Sequence, residues 1–159
     1  MKRERGLTIV ELLIVIAILA IISNIIIPSY IRWRSTDRLK EAVSVLWGDL
    51  GTAKSQAIRK NEFVAIVFST DSYKIFVDDG SGSGTEGNYY HEIGEEIIQY
   101  REIPAGVHID LSKTTFLGES TRFNGRGWIG KTGKVTFYNN IGEEKVVSME
   151  NRFGRITEN

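Results

Sequence analysis

Hydrophobic positions in this chain fall into three successive regimes. From Leu7 to Ile22 the side chains are apolar apart from Thr8 and Glu11, and from Leu12 to Ile31 there is no charged side chain over 20 residues. As a helix rising about 1.5 Å per residue, that stretch matches a hydrocarbon core of roughly 30 Å, so it can span a bilayer. Beyond it, Leu39, Val43, Leu46, Leu50, Ala53 and Ala57 recur at intervals of three and four. This spacing predicts an amphipathic helix whose apolar stripe must be covered by a sheet. The two stretches together predict one helix from Leu7 to about Lys60, roughly 80 Å long. Pro28 has no amide proton and crowds the preceding turn, which predicts a kink there. Gly48 and Gly51 each cost about 1 kcal/mol relative to alanine inside a helix, and mark a soft spot or a close packing contact.

From Phe63 the period shortens. The runs FVAIVFS, YKIFVDD, EIIQYREI, GVHIDL, KVTFYNN and EKVVSMEN are rich in β-formers and bounded by glycine and polar clusters, which predicts antiparallel sheet. In KVTFYNN, Val135 and Phe137 alternate with Lys134, Thr136 and Tyr138, the pattern of a strand with one wet face. The helix stripe can cover the other. Asn139 to Lys145 reads as a hairpin loop, since Asn139, Asn140 and Gly142 all tolerate positive φ. The glycine- and serine-rich stretch from Asp78 to Asn88 reads as a mobile loop at the edge of the domain. No internal repeat is present.

The chain of 159 residues fits one modest globular domain with an appendage. Basic and acidic residues balance at 20 each, so the whole molecule has no net pull toward nucleic acid. Their distribution is uneven: Met1 to Asn61 carries ten basic and five acidic residues, and Glu62 to Asn159 ten basic and fifteen acidic. Cysteine is absent, which excludes disulfides, thiolate metal sites and a cysteine nucleophile.

Lys2, Arg3 and Arg5 precede the apolar run in the manner of a secretory signal, but the run exceeds the usual signal core and no A-x-A-like pair follows it. Basic residues on both flanks, Arg32, Arg34, Arg38 and Lys40 on the far side, leave charge bias silent on orientation. The cluster from Arg32 to Lys40 lies just past the membrane exit, where arginine and lysine could reach lipid phosphates before assembly; a solvated helix face fits it better, because Asp37 and Glu41 are spaced to offset part of its charge. Glu11 is the exceptional position. A carboxylate at the centre of a membrane helix costs roughly 2.5–3.5 kcal/mol, and less at the interface, so a partner is expected. Were the chain cut after Gly6, the new α-amine of Leu7 would stand four residues before Glu11, on the same helix face. An α-amine is mostly protonated at neutral pH.

Catalytic signatures are missing. The Asp78–Asn88 loop lacks the ligand spacing of a calcium loop, and GRGWIGKTGK (Gly125 to Lys134) lacks the glycine spacing of a phosphate loop. His91 with Glu92 or Glu95 is a chance pairing, without a second ligand at a recognisable spacing, and His108 falls within a predicted strand. The sequence predicts neither an enzyme nor a bound metal or cofactor. A DNA contact strip is the sharper rival, built from Arg122, Arg126, Lys131, Lys134, Arg152 and Arg155. The acidic surplus of the same region opposes the phosphate attraction that dominates such binding.

A short basic leader ending in Gly6, followed by LTIVELLIVIAILAII, closely resembles the N-terminus of type IV prepilins. The head segments LGTAKSQAIRKNEFVAIVF, YKIFVDDGSG, EEII, IPAGVHI, FNGRGWIGKTGKVTF and FGRI resemble, in order, the GspH/FimT branch of pseudopilins and minor pilins. The resemblance implies an α+β type IV pilin fold: a long N-terminal helix, half transmembrane and half amphipathic, packed on a C-terminal antiparallel β head. It implies a leader over residues 1–6, a membrane and filament-core helix over 7–31, the amphipathic half over 32–61 and the head over 62–159. It further implies cleavage by a prepilin peptidase between Gly6 and Leu7, methylation of the Leu7 amine, and pairing of Glu11 with a neighbouring subunit's N-terminus during assembly. Most family members begin with phenylalanine, where this chain has Leu7, also apolar. The implied partners are other pilins or pseudopilins, the peptidase and an inner-membrane assembly platform. The implied location is the bacterial inner membrane, in one pass with the head outside, and then a filament. Some members of the branch serve DNA uptake, which gives the alternative function.

Overall fold

The structure, a computed structural model, describes residues 8–82, 84–116, 118–150 and 155–158. Helix α1 covers Ile9–Lys60, followed by β1 (Val64–Phe68), β2 (Ser72–Val77), β3 (Ile97–Glu102), β4 (Val107–Ile109), β5 (Ser120–Phe123), β6 (Gly133–Asn139), β7 (Glu144–Glu150) and β8 (Arg155–Glu158). The chain divides into two compact units, Met1–Arg34 and Ser35–Asn159.

In the first unit the helix is apolar all round. Its large hydrophobic residues are exposed, from Ile9 to Ile31, and the helix continues through Pro28. Two polar side chains within it are satisfied locally: Ser23 Oγ donates to the Leu19 carbonyl at 2.7 Å and Asn24 Nδ2 to the Ala20 carbonyl at 2.8 Å. Such back-bonding is how a polar residue avoids an unpaired group where no water is at hand.

In the second unit the helix carries the predicted stripe. Leu39, Val43, Leu46, Leu50, Ala53 and Ala57 are all buried, joined by Ser35 and Ala42. Two antiparallel sheets meet this stripe, with strand orders β3-β2-β1-β5 and β4-β6-β7-β8. Val64, Ile66, Phe68, Tyr73, Ile75 and Phe123 from the first sheet join Val107, Ile109, Val135, Phe137, Val147 and Met149 from the second in one core with the helix. Alternation does the sorting, since successive strand residues face opposite ways. At the polar end of the stripe, Ser35 Oγ donates to Asn140 Oδ1 at 2.6 Å and Thr36 Oγ1 to Glu143 Oε2 at 2.7 Å, pinning the helix to the β6–β7 loop. In that loop Gly142 alone of the three expected residues takes positive φ, at 82°.

Three details depart from the sequence pattern. Strand β5 (STRF) and strand β8 (RITE) lay in segments with no predicted strand. The stretch from Asp78 is no loose edge loop at its start, because Asp78 is wholly buried. Gly48 and Gly51 make no close packing contact: a Cβ at either would meet nothing within 4 Å. Substituting alanine at either therefore removes only the glycine penalty, and each change should stabilise the protein by about 1 kcal/mol. Chemical denaturation checks this; a destabilised Gly51→Ala protein would show that the glycine serves a contact.

Candidate functional site

Helix α1 begins with a reciprocal cap. Thr8 precedes the first helical residue, its backbone N–H and its hydroxyl donate to Glu11 Oε2 at 2.9 and 2.8 Å, and the Glu11 N–H donates to Thr8 Oγ1 at 3.2 Å. Thr-x-x-Glu is the spacing of a capping box, which satisfies amide donors that a helix start leaves unpaired. The Thr8 bonds both fall on Oε2, so the carboxylate is fixed beside the helix N-terminus while a second oxygen remains on it. Gly6 and Leu7 lie outside the described residues. The structure thus places Glu11 in the first turn of the helix.

In the head, the residues considered for nucleic acid have other company. Ala65 pairs with Phe76 on one side and with Arg122 on the other, and cross-strand partners share a face. Ala65 and Phe76 are both fully buried without belonging to the core beneath the helix, because the segment after β2 lies over this outer face. His91 meets the Phe76 ring edge-on at 5.1 Å. The anchor of the segment is Asp78. Its Oδ1 accepts the amides of Gly87 and Asn88 at 2.9 and 3.1 Å, and its Oδ2 that of Tyr89 at 3.1 Å. Arg122 reaches Oδ2 at 3.8 Å, donates to the Gly87 carbonyl, and lies over the rings of Phe63 and Tyr89 at 4.1 and 4.4 Å. Gly87, with φ of 73°, admits this guanidinium: a Cβ there would sit 2.0 Å from Arg122 Nη1. Tyr89 also takes positive φ, at 72°, a conformation that its amide bond to Asp78 and its ring contacts hold in place.

Lys131 Nζ also stands over the Tyr89 ring, at 3.8 Å, and burial, then the Arg122 charge, lowers its affinity for a proton. Arg126 lies over Trp128 at 5.5 Å. Arg155 belongs to β8, an edge strand of the other sheet, and Arg152 lies outside the described residues. The structure therefore brings Arg122 and Lys131 together around one tyrosine, as parts of a cation–π cradle that fastens a loop. It does not join Arg122 and Arg155 on one sheet.

The carboxylates near His91 are likewise committed. Glu92 Oε2 accepts the Thr85 amide at 2.8 Å, and Glu95, itself buried, accepts the amides of Gly80 and Glu92 at 3.3 and 2.7 Å. His108 instead contacts Asp71 through Nδ1 and lies against Tyr138. A third polar group, unnoticed in the sequence, joins helix to sheet: Asp49 accepts from the Tyr73 hydroxyl at 2.6 Å and from Arg101 Nε at 3.2 Å. Burial, reinforced by that bond, holds the Tyr73 phenol well above the usual tyrosine range, and the bond to Asp49 raises Arg101.

Comparison with known proteins adds the context for these parts. Residues 1–23 match the model of the prokaryotic N-terminal methylation motif, and residues 42–151 match the model of type II transport protein GspH. No curated relative matches the sequence. Among solved structures, the fold is similar to the minor pseudopilin EpsH from the Type 2 Secretion System of Vibrio cholerae, at 12% identity and a TM-score of 0.55, covering 77% of this chain and 96% of that one. It is also similar to the type IV minor pilin FimU of Pseudomonas aeruginosa, at 16% identity and a TM-score of 0.57, covering 80% of this chain and 92% of that one. At such identities the likeness establishes the fold: a long helix packed on antiparallel sheets.

Proposed function

The chain belongs to the GspH family, and from that premise we propose that it serves as a minor pilin or pseudopilin, a membrane-anchored subunit that starts, caps or joins a filament. The observation that carries this reading is the change of character along α1. One half buries a stripe in the head, and the other exposes large apolar side chains on every side. A helix apolar all round needs lipid, or other helices, as its solvent. Lipid holds it before assembly, and neighbouring subunits surround it afterwards.

In this reading a prepilin peptidase cuts between Gly6 and Leu7 on the cytoplasmic side and methylates the Leu7 amine. The subunit then waits in the inner membrane with its head in the periplasm or outside, and is drawn into the filament at an assembly platform. Glu11 pairs with a protonated Leu7 amine as the subunit leaves the lipid. Each group alone would be costly in an apolar filament interior, and together they satisfy each other. Thr8 positions the carboxylate for this role by holding Oε2 at the helix start. Catalysis has no part in the proposal; the work is assembly.

The DNA-uptake alternative finds no support. Arg122 is occupied by two rings, a carbonyl and a buried carboxylate. Mass spectrometry of the protein isolated from cells tests the processing step. The expected N-terminus is N-methylated Leu7, and a chain still starting at Met1, or starting beyond Ile22, would overturn the assembly mechanism.

A further inference from the structure

The apolar run of α1 ends in a compact set of residues with a different chemistry. Tyr30 and Trp33, one turn apart, are 54% and 63% exposed, and their rings pack at 6.1 Å with a 40° tilt. Arg32 and Arg34 interleave with them and are exposed as well. Moving outward along one face, Ile22 and Ile26 give way to Tyr30 and Trp33 and then to Asp37. Neither aromatic ring belongs to the core of the head. An amphipathic ring flanked by guanidinium groups is the composition of a bilayer interface: the ring sits at headgroup level, and arginine reaches the lipid phosphates.

The spacing along the helix then fixes a second point. Tyr30 lies 19 residues from Glu11, about 28 Å of helix, against a hydrocarbon core of roughly 30 Å. With the aromatic pair at one interface, Glu11 falls at the other, its carboxylate held by Thr8 at the boundary rather than in the acyl interior. We propose that Tyr30 and Trp33, with Arg32 and Arg34, form the headgroup anchor of the unassembled subunit on the side of its head. This anchor sets the depth at which Glu11 waits at the opposite edge of the bilayer. The inference rests on the membrane-anchored reading above and specifies its depth.

The occupant of this surface is lipid, because the charge-free stretch of 20 residues that ends at Ile31 has the length of a bilayer core and places the rings at its rim. The test is depth-dependent quenching in the full-length chain carrying Trp47→Phe and Trp128→Phe, which leaves Trp33 as the single tryptophan of the three present. The protein is reconstituted in vesicles of phosphatidylethanolamine and phosphatidylglycerol containing phosphatidylcholine brominated at shallow or at deep acyl positions. Shallow bromine should quench Trp33 at least about twofold more than deep bromine. A companion chain with Trp33→Phe and Ile21→Trp in the same background should show the reverse order. Protein that floats with the vesicles but gives equal or deeper quenching at Trp33, or none, overturns the anchor and leaves membrane residence intact. Protein that fails to float overturns both.

Discussion

Replacing Glu11 by alanine should abolish incorporation into filaments while cleavage after Gly6 and membrane insertion continue. Alanine is a better helix former and more apolar, so insertion gains if anything. What disappears is the one acid available to the Leu7 amine in the first turn of the helix. A charged amine carried into an apolar filament interior without a counter-charge is penalised by several kcal/mol, enough to reduce incorporation by orders of magnitude. Glutamine at the same position separates charge from shape, because its carbonyl can still accept from the Thr8 amide and hydroxyl. Glu11→Gln should therefore keep the helix start and still fail to assemble. Shearing and quantifying the chain in filament and membrane fractions gives the readout. Near-normal filament content for the glutamine variant would mean that the cap, and not the ion pair, is what Glu11 supplies.

That distinction also shows which features could be read from the sequence. The stripe Leu39 to Ala57 was legible because a helix against a sheet imposes a period of three and four, and every member is buried. Six strands were legible for the matching reason, a period of two or a run of β-branched residues. Strand β5 was hidden by its composition. Ser120 and Thr121 are polar yet buried, Thr121 because its hydroxyl donates to the Lys131 carbonyl at 2.7 Å. Such residues look like surface until the acceptor is known. Arg122 was misplaced among surface cations by the same logic: what covers it is a loop more than thirty residues earlier in sequence, closed by hydrogen bonds from backbone amides, which carry no side-chain signature. The Thr8–Glu11 cap, by contrast, is written in the sequence as Thr-x-x-Glu, a spacing with a known mechanism, although its glutamate stands inside an apolar run.

Asp78→Ala should be strongly destabilising to the head. The side chain is fully buried and its two oxygens accept three backbone amides, those of Gly87, Asn88 and Tyr89. Truncation leaves the Asn88 and Tyr89 amides without their acceptor, while the Gly87 amide keeps its bond to the residue-78 carbonyl at 3.2 Å. It also leaves the Arg122 guanidinium, 3.8 Å from the lost oxygen, facing a void between Phe63 and Tyr89. Unpaired buried donors cost about 1–3 kcal/mol, and removing one partner of a buried charge pair about 3–5 kcal/mol, so a loss of about 3–4 kcal/mol is expected out of a total of roughly 5–15. The segment from Asp79 to Glu96 should also become open to limited proteolysis, since its fastening to the outer face of the first sheet is gone. Asp78→Asn should be intermediate, because its carbonyl can still accept while its amide group points donors at donors. Adding Arg122→Met to Asp78→Ala should recover part of the loss, as it removes the stranded charge while keeping an apolar stem between the rings. Thermal unfolding of the detergent-solubilised protein reads these three variants and Arg122→Met alone. A melting point for Asp78→Ala within a degree or two of the parent, or strict additivity with Arg122→Met, would show that the carboxylate and guanidinium do not act as one fastening.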